Sequence, residues 1–390
     1  MELQSMSLWA FWLFLLLSSM HVLRFFGSAA NFSNETDYLA LLHFKHLTTE
    51  DPLNSLSSWN HTLHFCHWQG VTCGGRLHPQ RVTALNLTGQ KLVGPISPFI
   101  RNLTFLRRIE LANNSFNGRI PEEMGQLLRL RFLGLDDNKF TGEIPANLTR
   151  CSELQLLYLV RNQLIGSIPT ELGSLSKLTV LALGINNLIE NIPPSLGNLS
   201  SLTLLLSRNR LEGNIPDDLS QLVRLNILGI RENELSLLFG VNQFTRPIPV
   251  SLSNASGLAL VNLNNNSFSG SVPLDFGNLK NLSRLRLWGN ELAIGKGSDL
   301  GFLDSLINCI SLQLPDVGIN NLSGLLPNSI GNLSTQLNEL SLDNNMIFGS
   351  IPSGIRNLIC LTVVNLGYNF LTGRIPIGVG MLNKVEQLEQ

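Results

Sequence analysis

Residues 133–145 (LGLDDNKFTGEIP) and residues 157–169 (LYLVRNQLIGSIP) spell one pattern twice, about 24 residues apart. Each copy has leucine at its first and third positions, asparagine at the sixth, an apolar residue at the eighth, glycine at the tenth, and Ile-Pro at its end. The asparagine returns at the same phase along the chain, with Gln90 replacing it in the first unit. The further positions are Asn114, Asn186, Asn209, Asn233, Asn266, Asn290, Asn320, Asn345 and Asn369.

A fixed period of this length and composition predicts a leucine-rich repeat solenoid. The alternating leucines would face inward from a short strand, and stacked coils would pair those strands into one parallel sheet. A buried asparagine amide, which has both donors and an acceptor, could satisfy backbone groups in the loop. Each coil would bury its apolar side only against its neighbours. We therefore predict an α/β solenoid with a parallel concave sheet.

Composition supports one elongated domain and limits the possible partners. The 390 residues carry a net charge of −1, and 14% of them are charged. This balance predicts no basic stripe, so nucleic acid is not an expected partner. No cofactor motif is present.

The N-terminal segment, residues 1–30, has the pattern of a secretory signal peptide. Residues 8–26 are strongly apolar, and the small residues 27–30 offer a cleavage site near Ala30. The first residues lack lysine and arginine and contain Glu2, which departs from the usual pattern. The alternative interpretation is an uncleaved N-terminal anchor.

A secretory route would expose asparagine sequons to glycosylation, although the repeat phrase Asn-Leu-Ser/Thr also generates sequons by itself. The predicted acceptors are Asn31, Asn34, Asn60, Asn86, Asn102, Asn113, Asn147, Asn198, Asn254, Asn265, Asn281, Asn321 and Asn332.

Five cysteines divide into a close pair and three single residues. Cys66 and Cys73 lie directly before the first coil, where an oxidising compartment favours a disulfide. Metal binding by Cys66, His67 and Cys73 is the alternative, but the spacing matches no zinc pattern. The other three precede leucine-containing strands and are predicted to be free core thiols: Cys151, Cys309 and Cys360.

Residues 31–80 have a different pattern and are predicted to form an N-terminal cap. Thr36 and Asp37 could cap a helix with an apolar stripe, and Asp51-Pro52 could form a turn. A cap is physically required because the end of a solenoid would otherwise expose the apolar cross-section of a coil. The apolar positions of the predicted cap are Ala40, Leu41, Phe44, Leu47, Leu56 and Trp59.

The cap sequence, including residues 36–45 and Cys66-His-Trp-Gln-Gly-Val-Thr-Cys73, resembles the N-terminal cap of plant leucine-rich-repeat receptor-like kinases. The Gly-x-Ile-Pro phrase is the plant-type repeat. Residues 295–303 and 326–334 are similar to the subgroup containing the flagellin, elongation factor Tu and rice bacterial-blight resistance receptors.

This resemblance implies a right-handed superhelix with a disulfide-stapled helical cap, at the extracellular face of the plasma membrane or secreted. It implies recognition of an extracellular peptide or protein, in pathogen perception or signalling, with a co-receptor kinase ectodomain as a further partner. Kinase motifs are absent from the chain, so we expect no enzyme. We expect a receptor truncated before its membrane helix. The alternatives are a secreted polygalacturonase-inhibitor-like protein and a non-functional gene fragment.

The repeats, residues 81–390, contain irregularities and are expected to end without a C-terminal cap. Two strand-like patterns lie nine residues apart around Asn233 and Asn242, too close for one full coil, so we expect an interruption near residues 233–244. The longer spacing between Asn290 and Asn320 predicts a convex helix over Leu300–Leu306, and Pro315 occupies a strand position.

The functional residues are expected on the concave face, because inward leucines turn the intervening strand residues outward. No catalytic constellation is present, since all seven histidines precede residue 79. Arginine and aromatic side chains are common interface anchors. The candidate ligand-binding residues are Glu110, Asp136, Tyr158, Arg161, Arg208, Arg231, Arg286, Trp288, Asp316, Asp343 and Tyr368. Asn86 points to the same face, where a glycan would close the N-terminal end.

Overall fold

The structure is a computed structural model that describes residues 34–75, 80–199, 201–222, 224–230, 242–293, 299–382 and 384–389. The predicted signal peptide lies outside these ranges. So do Asn31, Arg231, Asn233 and the strand-like pattern at residues 237–239.

One sheet runs the length of the described solenoid. Its strands follow chain order, the first pair is antiparallel, and every later pair is parallel. The strands are β1 (Val71–Cys73), β2 (Val82–Asn86), β3 (Arg108–Glu110), β4 (Phe132–Gly134), β5 (Leu156–Tyr158), β6 (Val180–Ala182), β7 (Thr203–Leu205), β8 (Ile227–Gly229), β9 (Leu260–Asn262), β10 (Arg284–Arg286), β11 (Leu314–Asp316), β12 (Glu339–Ser341), β13 (Val363–Asn365) and β14 (Gln387–Glu389).

The register of this sheet confirms the predicted α/β solenoid. Leu133 pairs with Leu157, and Leu157 pairs with Leu181, so the middle leucine of each strand stacks on its counterpart in the next coil. All three side chains are fully buried. Since a strand alternates its faces, the residues on either side of each leucine point to the concave solvent face.

The rest of each coil is built from short elements. A second series of parallel strands follows the asparagine position of each repeat: Val93–Pro95, Ser115–Arg119, Lys139–Gly142, Gln163–Gly166, Asn187–Leu188, Glu212–Gly213, Gln243–Phe244, Ser269–Gly270, Glu291–Leu292, Ser323–Leu325, Met346–Gly349 and Phe370–Leu371. One 3₁₀ turn, Phe65–His67, lies in the cap. Further single 3₁₀ turns cover the return side of the coils: Pro98–Asn102, Glu122–Gln126, Ala146–Arg150, Thr170–Ser174, Pro194–Asn198, Asp217–Gln221, Val250–Asn254, Leu274–Asn278, Asp299–Gly301, Asn328–Asn332, Ser353–Asn357 and Ile377–Met381.

The asparagine of each repeat ties neighbouring coils together. The Asn162 amide nitrogen donates to the carbonyl oxygens of Leu135 (3.0 Å), Leu159 and Val160 (both 3.3 Å). Its carbonyl oxygen accepts the backbone N–H of Phe140 at 3.0 Å. One buried side chain therefore satisfies backbone groups of two successive coils, which no strand ladder reaches.

The N-terminal cap is a helix, α1 (Glu35–Leu47), that packs on the first coils. The helix begins before the predicted capping residues, so Thr36 and Asp37 lie in its first turn and do not cap it. Asp37 is instead fully buried and accepts hydrogen bonds from the Arg81 guanidinium (2.8 and 3.1 Å) and from the backbone N–H of Val82 (2.8 Å). This buried ion pair attaches the cap to β2.

The rest of the cap follows the sequence prediction. Cys66 and Cys73 form the predicted disulfide, with their Cα atoms 5.4 Å apart, and this bond removes both thiols from the alternative metal site. Trp59 and Trp68 are buried and stack with ring centroids 5.4 Å apart. Gln90 does not act like the repeat asparagines: its side chain accepts a hydrogen bond from Ser55 of the cap at 2.5 Å.

The concave sheet continues in register where the repeat spacing is irregular. β8 pairs directly with β9, so no other strand lies between them. Asn242 joins the asparagine ladder, because its amide nitrogen donates to the carbonyl oxygens of Leu206 (3.3 Å) and Ile230 (3.1 Å). One bond is missing next to it: the buried carbonyl oxygen of Asn266 has no partner among the described residues.

A second irregularity lies between Asn290 and Asn320. The predicted convex helix is present but shorter than expected, with a 3₁₀ turn leading into α2 (Phe302–Leu306). Pro315 occupies the middle of β11. Two of the predicted core thiols, Cys151 and Cys309, are buried, whereas Cys360 is only half-buried.

Within the described ranges, no helix has the length and apolarity that a membrane span requires. The same part of the chain shows no group of three or more histidine, cysteine or acidic side chains placed to hold a metal ion.

The asparagine ladder predicts a large cost for Asn162→Ala. The change leaves the Leu135 carbonyl and the Phe140 N–H buried without partners, so the free energy of unfolding should fall by about 2–4 kcal/mol. Urea denaturation followed by circular dichroism measures this effect. The matched control is Asn187→Ala, in a half-buried position outside the ladder, which should change stability by less than about 0.5 kcal/mol. Equal losses in the two variants would contradict the role of the ladder.

Candidate functional site

The outward positions of the concave strands form columns that cross the sheet. One column contains Leu156, Val180, Thr203, Ile227 and Leu260, one residue from each of β5 to β9. The next column contains Tyr158, Ala182, Leu205, Gly229 and Asn262 in the same order. The middle of this solvent-facing surface is therefore mostly apolar, although polar residues are expected there.

These columns enclose a shallow groove of about 380 Å³. Two glycines form its floor, because Gly184 and Gly229 place no side chain between the larger neighbours. The described residues that line it are Val160, Gly184, Ile185, Leu205, Ser207, Ile227, Gly229, Leu260 and Asn262. None of these residues is charged. We call this feature the central groove.

The N-terminal end of the groove holds four of the predicted residues. Glu110 forms an ion pair with Arg108 and accepts a hydrogen bond from the Asn86 amide at 2.6 Å. Arg161 forms an ion pair with Asp137. Asp136 accepts the backbone N–H of Val160 at 2.7 Å, and the Tyr158 ring lies 5.7 Å from the ring of Phe132. These residues form a polar rim next to the groove.

The C-terminal end brings together another four predicted residues. Arg286 and Asp316 lie opposite each other in β10 and β11. Trp288 and Asp343 lie on either side of Gly318: a Cβ atom there would be 2.8 Å from Trp288 Cδ1 and 2.5 Å from Asp343 Oδ1. Glycine is therefore required for the indole and the carboxylate to approach each other.

Two carboxyl groups on this face are difficult to ionise. Burial raises the pKa of Asp136 to about 6, against the lowering effect of the hydrogen bond from Val160. Burial also raises the pKa of Asp316 to about 7, and the carboxylates of Glu339 and Asp343 raise it further. The hydrogen bond from Gly318 and the charge of Arg286 act in the opposite direction. Both carboxyls are desolvated by the groove ends, so they would favour a cationic partner.

Two further predicted residues, Arg208 and Tyr368, lie at the edge of the sheet, and the rim residue Arg161 occupies the same position in its repeat. Arg161, Arg208 and Tyr368 have positive φ angles of 53°, 59° and 55° and directly precede the ladder asparagines, where the chain turns away from the concave face. Tyr368 is 80% exposed and lies far from the groove. Arg231 lies outside the described residues. The ligand-binding assignments therefore stay predictions, with eight candidates at the two ends of the groove.

The sequon asparagines stay predictions as glycosylation sites. Seven of them are exposed: Asn86, Asn113, Asn198, Asn254, Asn281, Asn321 and Asn332. Five are half-buried: Asn34, Asn60, Asn102, Asn147 and Asn265. Asn86 is on the concave face, as expected from its strand position.

The lining of the central groove was missed in the sequence, because arginine and aromatic residues were taken as the anchors. A signal was nevertheless present. Leu205, Ile227 and Leu260 occupy outward strand positions, and Val160 follows β5 on the same face, where an apolar side chain has no core to fill. Apolar residues at such positions in consecutive repeats indicate an exposed apolar surface.

A larger depression of about 550 Å³ lies on the opposite side of the asparagine ladder. Its edge carries Arg119, Glu122, Glu143 and Glu171. The Arg119 and Glu143 side chains pack over Gly142 and Gly166 of the following strands, so this surface is part of the coil stacking. It lacks the apolar floor of the central groove and is the weaker candidate.

The raised pKa of Asp316 predicts a pH-dependent stability. The unfolded carboxyl titrates near 3.8 and the folded one near 7, so the folded protein retains a proton between these values and loses stability as pH rises through them. Asp316→Asn removes this loss and should be more stable than the parent at pH 8 by about 2 kcal/mol, allowing for residual solvent contact. The difference should vanish near pH 4. Denaturation at several pH values measures it, with the exposed Asp275→Asn as control. A parent and variant with parallel pH profiles would contradict the desolvation of Asp316.

Models of three leucine-rich-repeat families match most of the described chain. The description "Leucine-rich repeat region" matches residues 88–243, and "Leucine Rich Repeat" matches residues 257–279 and 336–358. The description "Leucine rich repeat N-terminal domain" matches residues 34–74, which is the cap.

Individual relatives agree with these matches. The chain is 54% identical to the LRR receptor-like serine/threonine-protein kinase EFR of Arabidopsis thaliana over 101 residues, 26% of this chain and 10% of that protein. It superposes on the ectodomain of the Arabidopsis receptor kinase HAESA, solved with an IDA peptide hormone, with a TM-score of 0.73 and 28% identity, covering 92% of this chain and 61% of that one. A leucine-rich-repeat protein of Leptospira interrogans gives a TM-score of 0.62 and 31% identity, covering 78% and 71%.

The chain therefore spans a small part of the length of the curated relatives it matches. The repeat region, the cap and the coil geometry nevertheless agree across the comparisons. The protein belongs to the leucine-rich-repeat family and resembles the ectodomains of plant leucine-rich-repeat receptor kinases.

Proposed function

We propose that this chain is an extracellular recognition module that binds a peptide on its concave face, in pathogen perception or signalling. The observation that carries the proposal is the central groove: an uncharged, apolar depression on a solvent-facing sheet, with polar residues at both ends. A groove of this size with few polar groups is typical of a ligand site. Exposed apolar surface on a folded domain also indicates an interaction.

The relatives support a peptide as the ligand class. HAESA was solved in complex with a peptide hormone, and PEPR1 was solved with AtPEP1. HAESA was also solved with its peptide and the co-receptor SERK1. We propose by analogy that a co-receptor kinase ectodomain is a second partner of this chain. Secretion through the N-terminal segment and glycosylation at the exposed sequons belong to the same proposal.

The test is selection of a displayed library of random ten-residue peptides on the secreted full-length chain. Isothermal titration of the selected peptides then measures affinity. The double variant Tyr158→Ala, Trp288→Ala removes one aromatic ring from each end of the groove and should weaken binding at least tenfold, because aromatic anchors dominate such interfaces.

The controls are Glu171→Ala and Ser195→Ala, at exposed and half-buried positions on the return side of the coils. They should leave affinity unchanged. Equal losses from the two surfaces, or no selected peptide, would count against the proposed function. Inhibition of fungal polygalacturonases by the chain would instead favour the inhibitor alternative.

A further inference from the structure

The proposed function leaves open what kind of peptide the concave face fits. The charges at the two ends of the central groove indicate the charge pattern of the peptide, and the dimensions of the sheet indicate its length.

The lining of the central groove determines which side chains the middle of a bound peptide can carry. It extends from Val160, just after β5, to Leu260 in β9, which is four strand spacings or about 19 Å at about 4.8 Å per strand. An extended peptide lying across the strands advances about 3.3 Å per residue, so about six residues cover this distance. Only alternate side chains of such a peptide would face the groove, and its uncharged lining requires those side chains to be uncharged as well.

The N-terminal end of the groove has one more carboxyl than guanidinium. Arg108 pairs with Glu110, and Arg161 pairs with Asp137. Among the described residues on this part of the concave face, that leaves Asp136 without an ion pair, and its carboxylate accepts only backbone N–H groups, those of Val160 and of Asp136 itself. Its carboxylate is half-buried and lies directly beside the groove, so a cation from a ligand is the partner that would compensate it.

The C-terminal end has the same imbalance. Asp316, Glu339 and Asp343 lie in or just after β11 and β12, whereas two arginines, Arg284 and Arg286, lie in β10. Asp343 is buried, and its oxygens accept hydrogen bonds from Ser341 (3.2 Å) and Asn344 (2.9 Å); among the described residues it forms no ion pair with a guanidinium. Above pH 7, where Asp316 is ionised, the three carboxylates exceed the two guanidiniums, so this end also carries an excess negative charge.

We propose that the concave face binds an extended peptide of about ten residues, with uncharged apolar side chains at alternate positions in its middle and a basic residue near each end. The inference rests on the proposed function. The length follows from the seven strand spacings between β4, which precedes Asp136, and β11, which contains Asp316, or about 34 Å. The apolar middle fills the central groove, and the basic ends reach the two acidic rims.

The peptides selected from the random library provide the first test. The expected result is enrichment of lysine or arginine toward both ends and of valine, isoleucine or leucine at alternate central positions. Selected peptides that bind the concave face without this pattern would overturn the inference and leave the proposed function intact. The absence of any selected peptide would overturn both.

Matched synthetic peptides provide the second test. At pH 8, where both rim carboxyls are ionised, replacing the two basic residues of a selected peptide by glutamate should weaken its binding at least tenfold, and this loss should be smaller in the Asp136→Asn, Asp316→Asn double variant. The single variant Asp136→Asn should also reduce this loss of affinity, though only in part. It serves as a second test because it leaves the packing of β11 unchanged. The control Asp275→Asn, an exposed carboxylate on the return side, should keep the full penalty. An undiminished penalty in both variants would overturn the assignment of the acidic rims.

The groove itself is tested by Ile227→Lys, which introduces a charge into the apolar lining. This variant should weaken binding of the parent peptide at least tenfold while its thermal transition stays close to that of the parent. The matched control is Ile189→Lys, at an exposed position away from the concave sheet. Unchanged affinity in Ile227→Lys would overturn the placement of the apolar middle.

Discussion

The structure depends on the hydrogen bonds that one buried asparagine side chain makes in each coil. After its strand, every coil must turn out of the parallel sheet, and its backbone groups then lose the regular ladder. The amide of Asn162, between the carbonyls of Leu135 and Leu159 and the N–H of Phe140, supplies those missing partners. Buried polar backbone groups without such partners would cost about 1–3 kcal/mol each, so the stack requires this residue in almost every repeat.

This constraint divides the surface of the solenoid. Leucines and the asparagine ladder occupy the interior, so the remaining strand positions face solvent and are free to vary. In β5 to β9 these outward positions are mostly apolar and form the central groove with its glycine floor. The coils on either side contain ion pairs and two desolvated carboxyls. A rigid scaffold of inward residues thereby holds a recognition surface made of outward residues, as repeat proteins commonly do.

The net charge of the chain gave no indication of where acidic residues lie on the concave face. A net charge of −1 predicted only that the surface has no basic stripe. The folded chain nevertheless places Asp136 at one end of the groove and Asp316 at the other, where burial raises the pKa of each carboxyl. These two residues are 180 positions apart in the sequence and come to lie at opposite ends of one groove only because the coils stack in one direction. The net charge of the chain does not show how its charged residues are distributed over the folded surface.

The sequence by itself determined the solenoid, the inward leucines, the asparagine ladder and the Cys66–Cys73 disulfide, because each depends on contacts within one repeat or between adjacent ones. It placed Asn233, which lies outside the described residues, in the asparagine phase and put Asn242 in a second pattern only nine residues later. The structure places Asn242 in the ladder, because the carbonyls of Leu206 and Ile230 converge on that side chain. It also could not assign Asp37, which resembled a helix cap but lies buried against Arg81 of the first coil. The central groove likewise required the tertiary structure, since its lining combines Gly184 and Gly229, two residues without side chains that belong to coils two positions apart. Local periodicity specifies the repeat, whereas register, burial and the joining of distant side chains exist only after the coils have stacked.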